Sequence, residues 1–134
     1  MDYKKSIEDL QELLIELKEE NKYVPIVVEG DKDIFALKKL GISGKIIGIN
    51  KGITLSNFCD RISHQYNKII ILTDWDRRGG YICRTIRKNL QGRVDCNTKY
   101  RETFAKNTTI KTVEGLPSWI DTINKKINKN CVSG

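Results

Sequence analysis

The sequence predicts an α/β fold, with a central, mainly parallel sheet of about four to five strands flanked by helices. Three observations carry that prediction. Short apolar runs rich in Val and Ile alternate with amphipathic helical stretches, which is the pattern of βαβ units. The strongest run, Ile69-Ile70-Ile71-Leu72, is apolar at every position, as a parallel strand covered on both faces must be. Two of the runs break off at their carboxyl ends into carboxylates, Glu29 and the pair Asp74 and Asp76, where open parallel sheets bind ligands.

Residues 6–20 place Ile7, Leu10, Leu13, Leu14 and Leu17 at helical spacing between Glu and Lys, giving an N-terminal amphipathic helix. Val24-Pro25-Ile26-Val27-Val28 reads as a buried strand with its proline at the start, where a missing ladder donor is tolerable. Asp31 is placed to cap the next helix, whose apolar residues Ile34, Leu37 and Leu40 precede Gly41 as a stop. Asp33 falls in the first turn, either facing a site or complementing the helix dipole. Ile46 to Ile49 is a second strand, followed by Asn50-Lys51-Gly52. A helix carrying Leu55, Phe58, Cys59, Ile62 and Tyr66 comes next.

Lys68 to Thr73 is the third strand. A helix from Gly80 to Leu90 then turns Ile82, Ile86 and Leu90 inward, leaving Arg84, Arg87 and Lys88 off the apolar stripe beside Arg77, Arg78 and Arg93. Val94 to Cys96 reads as a short strand and Lys99 to Lys106 as a short helix or loop. Thr109 to Val113 alternates like an edge strand ending at Glu114, a third strand-end carboxylate. Residues 116–127 form a last amphipathic helix with Pro117 in its first turn, and 128–134 fray.

At 134 residues the chain, 1–134, reads as a single domain. No apolar run approaches the ~20 residues that span a bilayer, and the start, Met1-Asp2-Tyr3-Lys4-Lys5, is not a secretory signal, so no membrane partner and a cytoplasmic location are expected. Four scattered cysteines and one histidine, His64, lack zinc-site spacing. Cys59 and Cys83 fall on apolar helix faces as small hydrophobes, and His64 reads as a surface or half-buried helix residue. The charge is uneven. Residues 1–76 hold 11 Lys+Arg against 13 Asp+Glu, and residues 77–134 hold 13 against 4. An acidic cluster followed by a basic half suits a polyanion held beside a metal ion, although a basic surface also serves solubility.

Glu29 and Asp74 are 45 residues apart, the length of two βα units, so neighbouring strand ends would bring Glu29, Asp74 and Asp76 within reach of one cation. Two carboxylates side by side are costly without a compensating charge, and a hard cation with oxygen ligands is the usual remedy. Taken alone, Asp74-Trp75-Asp76 is equally a solvated turn with Asp76 as an N-cap.

Val27-Val28-Glu29-Gly30-x-x-Asp33 and Leu72-Thr73-Asp74-x-Asp76-x-x-Gly79, with the Gly52 turn between them, resemble the Toprim domain over about residues 22–100. That domain is the core shared by topoisomerases, bacterial-type primases, certain nucleases and recombination mediators. The likeness is strongest to small Toprim proteins and to the ribonuclease that matures small ribosomal RNA, where an aspartate likewise follows the strand glutamate by four residues.

The resemblance implies a Rossmann-like three-layer fold with Mg2+, or Mn2+, as cofactor and RNA or DNA as partner. It implies metal ligation by Asp74 and Asp76, and a general acid/base or further ligand role for Glu29. Asp33 and Glu114 become auxiliary acids, the latter through a Val113-Glu114 step that also occurs often by chance. Arg77 and Arg78 are expected to hold flanking phosphates, with Arg84, Arg87, Lys88 and Lys51 completing the nucleic-acid surface.

These 134 residues offer no room for the separate tyrosine domain of a topoisomerase or the zinc and polymerising regions of a primase, so neither is expected. The leading expectation is therefore a Mg2+-dependent nuclease. The alternative is a non-catalytic nucleic-acid-binding or scaffold module working with a protein partner or as a homodimer. A haloacid-type phosphatase or receiver fits less well, because the first strand ends in a glutamate where a haloacid enzyme carries its Asp-x-Asp.

Overall fold

In the computed structural model, which describes residues 2–49 and 52–132, six helices surround one four-stranded sheet. In chain order the elements are α1 (Tyr3–Asn21), β1 (Ile26–Val28), α2 (Asp31–Lys39), β2 (Ile46–Gly48) and α3 (Leu55–Gln65). They continue with β3 (Lys68–Ile71), α4 (Arg77–Leu90), β4 (Asp95–Asn97), α5 (Lys99–Asn107) and α6 (Leu116–Val132). The strands lie in the order β2-β1-β3-β4 and every pairing is parallel.

The pleat divides the strand side chains between two cores, as a period of two requires. Ile26, Val28, Ile70 and Leu72 pack with α1, α2, α5 and α6, while Val27, Ile69 and Ile71 pack with α3 and α4. Helices therefore cover both faces of the sheet, giving the expected three-layer α/β architecture. The chain runs outward from β1 to β2 and then returns across β1 to β3. Strand order thus reverses between β1 and β3, and the crevice at such a switch point is where α/β sheets take ligands.

Several boundaries differ from the sequence reading. The segment from Thr109 to Val113 is not an edge strand: it is irregular and bonds to residues 74 and 75 beyond the end of β3, so Glu114 stands in the turn that opens α6. Its alternation arises from burial of Val113 and half-burial of Ile110 against the α1 side of the core, not from a ladder. Asp31 is the first residue of α2 rather than its cap. Gly30 is the N-cap, and its N–H donates to the Asp33 carboxylate at 3.2 Å.

α4 begins at Arg77, three residues before Gly80, because Asp76 caps it. α6 continues to Val132 instead of fraying from 128. Gly41 does end α2, at φ +90°, where a left-handed residue favours glycine. Cys59 and Cys83 are buried, and the exposed His64 holds its Nδ1 2.6 Å from the Asp60 carbonyl oxygen. Arg93 leaves the basic surface to pair with Asp60 at 3.0 Å.

Candidate metal and nucleic-acid site

The β1–β3 crevice is built by letting a side chain continue the sheet. The N–H groups of Ile70 and Leu72 donate to the carbonyls of Pro25 and Val27. Two residues further on, the Asp74 N–H donates not to a backbone carbonyl but to Glu29 Oε2, at 2.8 Å. Glu29 is thereby fixed against the first aspartate of the pair.

Asp74 is held in turn, its Oδ1 accepting the Val113 N–H at 2.9 Å from the 109–113 segment. Asp76 turns into α4 and accepts the Gly79 N–H at 2.7 Å. Asp76 therefore is an N-cap, but capping occupies only one of its oxygens. In each of these three carboxylates one oxygen is anchored by a backbone N–H.

Close approach keeps this geometry tight. A Cβ on Gly79 would lie 1.8 Å from the Asp74 carbonyl oxygen, so only glycine lets the first turn of α4 press on the strand end. Thr73 Oγ1 donates to the Gly79 carbonyl at 2.8 Å, and Arg101 from α5 donates through Nη2 to the Asp74 carbonyl at 2.8 Å. Trp75 points away from the carboxylates. It stacks on Phe104 with centroids 5.8 Å apart and donates from Nε1 to the Ile110 carbonyl. With the Trp75 N–H bonded to the Lys111 carbonyl at 2.9 Å, it staples the 109–113 segment to the site.

Thr73, Arg101 and the Val113 N–H are the site groups that sequence reasoning missed. The Thr109–Val113 alternation marked the right segment but gave no sign that its backbone would meet Asp74. Arg101 sits on a helix with no motif, and only the fold carries it to the strand end.

The electrostatics match a site waiting for positive charge. Asp33 is only 7% exposed, and burial first, then the Asp74 carboxylate, push its carboxyl up to about 6 from an ordinary 3.8. Burial also drives the Asp74 carboxyl up to about 6. The Val113 N–H opposes that rise, while the charges of Glu29 and Asp76 add to it. Among the described residues none of Glu29, Asp33, Asp74, Asp76 or Glu114 forms a salt bridge.

Carboxyls raised in the folded state favour folding while they stay protonated. That contribution is complete below the unfolded value near 3.8 and is lost as pH rises through about 6. In chelator, thermal unfolding from pH 4 to 7 should therefore show wild type losing more stability than Asp33→Asn, which cannot ionise. Equal losses would mean that Asp33 does not carry this strain.

All-oxygen ligands, half-anchored and mutually repelling, fit a hard divalent cation such as Mg2+ or Mn2+. Among the described residues no three His, Cys, Asp or Glu side chains already converge as a cation cage, so a metal would have to draw in the remaining oxygens. Glu114 is exposed at the rim. Arg77 and Arg78 are exposed in the first turn of α4, where their charge opposes the helix dipole, and Arg84, Arg87 and Lys88 are exposed further along it. Lys51 lies outside the described residues. No helix among those described is long and apolar enough to cross a membrane.

Comparison with known proteins agrees with this fold. Residues 24–107 match the Toprim domain. The chain is 38% identical over 102 residues to the UPF0292 protein TV1259 of Thermoplasma volcanium, covering 75% of this chain and 86% of that one. It is 36% identical over 117 residues to the UPF0292 protein MJ1624 of Methanocaldococcus jannaschii, covering 85% and 91% respectively. A solved protein from Aquifex aeolicus has the same fold, with a TM-score of 0.68 and 26% identity over 78% of this chain and 95% of that chain. Toprim domains generally bind divalent metal ions and serve nucleic-acid chemistry. The chain accordingly belongs to the Toprim domain family, among the small UPF0292 proteins.

Proposed function

We propose that the protein is a Mg2+-dependent hydrolase that cleaves phosphodiester bonds in RNA or DNA, with Mn2+ able to replace Mg2+. The observation that carries this reading is the 2.8 Å bond from the Asp74 N–H to Glu29 Oε2. It orients a glutamate beside the Asp-x-Asp pair and leaves Oε1 to handle a proton.

Asp74 and Asp76 hold the metal, with Glu29 as a further ligand or as general acid/base, and Asp33 and Glu114 add negative charge behind and beside them. A bound divalent ion supplies phosphate charge neutralisation and a more acidic water. Arg77 and Arg78 hold the phosphates that flank the scissile bond, where the exposed start of α4 also favours an anion.

Titration with Mg2+ or Mn2+, followed through Trp75 fluorescence, should saturate in wild type and fail in the Asp74→Asn, Asp76→Asn double variant. Equal binding by both would remove the metal from this site. Incubation of wild type with single-stranded, duplex and structured RNA and DNA should then give metal-dependent cuts. The carboxylates do not yet converge, which favours a second reading, a scaffold that binds nucleic acid without turnover. Salt-sensitive retention of RNA with no cutting on any substrate would select it.

A further inference from the structure

Beyond Arg77, α4 carries a surface that neither the fold nor the carboxylate centre requires. Its inner face is buried at Gly79, Ile82, Cys83, Ile86 and Leu90. Directly opposite, Arg77, Tyr81, Arg84 and Lys88 follow one another at i, i+4, i+7 and i+11, a single ridge about 16 Å long.

Tyr81 is 61% exposed, an aromatic ring left in solvent between cations. Among the described residues none of the three cations is in a salt bridge. A groove of about 520 Å³ runs beside the ridge towards edge strand β4, lined by Arg84, Arg87 and Lys88, with Asp95 as its one acid.

The ridge begins at the carboxylate centre, since Arg77 directly follows the Asp76 cap. Between them a second cationic point forms. A methyl group on Gly80 would stand 3.3 Å from Arg84 Nη1 and 3.5 Å from Arg101 Nη2, so two guanidinium groups converge over one glycine. The Cys83 thiol below, pushed up by burial, is pulled the other way by Arg101, Arg87 and Arg84 together. Two cations that flank one glycine suit a shared anion, although Arg101 already spends its Nη2 on the Asp74 carbonyl.

We propose that the α4 ridge is a track for single-stranded nucleic acid, on which Tyr81 stacks a base while Arg77, Arg84 and Lys88 hold the phosphates leading from the carboxylate centre. This rests on the reading of that centre as a nucleic-acid site. A duplex keeps its base faces inside the stack and offers an isolated ring nothing to pair with, whereas an unpaired strand presents them to aromatic platforms set among cations.

Fluorescence anisotropy of the full chain in chelator tests the track without the metal. The probes are labelled single strands of about twelve nucleotides, as RNA and as DNA of the same sequence, and the duplex of each. The tighter of the two single strands identifies the sugar preferred. Tyr81→Ala should weaken single-strand binding roughly tenfold and leave duplex binding unchanged, and Tyr81→Phe should bind as wild type does. Arg84→Ala and Lys88→Ala should each lower the salt slope by about one.

Single-strand binding by Tyr81→Ala equal to wild type, or equal weakening on duplex, overturns the proposal. So does polyglutamate binding as tight as the oligonucleotide, which would reduce the ridge to plain charge. Failure of the track with metal-dependent cleavage intact sinks the track alone. A working track on a protein that cuts nothing upholds the track and sinks the nuclease reading alone.

Discussion

Gly79→Ala is expected to destabilise the protein by about 3 kcal/mol or more, lowering the melting temperature by roughly 10 °C. In an ordinary exposed helix position the same change would stabilise by up to about 1 kcal/mol, because alanine is the better helix former. Here the added methyl meets the Asp74 carbonyl oxygen at 1.8 Å, its carbon at 2.5 Å and its Cα at 2.9 Å. All three are backbone atoms of a strand end held by Glu29 and Arg101, so none can step aside cheaply.

The neighbouring Gly80→Ala is the control. Its methyl meets only the tips of Arg84 and Arg101, at 3.3 and 3.5 Å, and flexible ends can move. Thermal and urea unfolding should therefore separate the two variants widely. A Gly79→Ala protein that melts with wild type would show that α4 does not press on Asp74.

On the proposed hydrolase reading, Glu29→Gln is expected to lower cleavage by roughly 10²–10⁴-fold while leaving the fold intact. The amide can still present its oxygen to the Asp74 N–H, so the 2.8 Å bond that continues the ladder survives. The other end becomes an NH2 group where Oε1 stood, which neither takes a proton nor ligates a cation. The variant also removes one of the charges that push Asp74 up, so the metal-free protein should be at least as stable as wild type at pH 7. Turnover falling without a fall in metal-free melting temperature is the signature of a group that acts on substrate. Unchanged turnover would take the proton-handling role from Glu29, and a collapse of both would make the residue structural.

Much of this site is legible in the chain because a strand end is a local feature. An apolar run followed by a carboxylate places Glu29 and Asp74 at the rim before any contact is known, and their separation by two βα units makes neighbouring strands the natural topology. Asp76 shows the limit of local reading. The sequence allowed it to be a helix cap or a site carboxylate, and the structure makes it the cap through one of its oxygens. Arg93 shows another limit: it belongs to the basic half by composition, yet a partner 33 residues away takes its charge.

The sequence by itself determined the alternation of strands and helices and the carboxylates at the strand ends, since periodicity and strand termination act over a few residues. Only the tertiary structure decided what holds those carboxylates. The Val113 N–H on Asp74, Arg101 on the Asp74 carbonyl and the Trp75 staple to residues 110 and 111 join segments 27 to 39 residues apart. An irregular backbone segment has no pattern of its own, because its groups bond to whatever the packed helices and sheet bring to it.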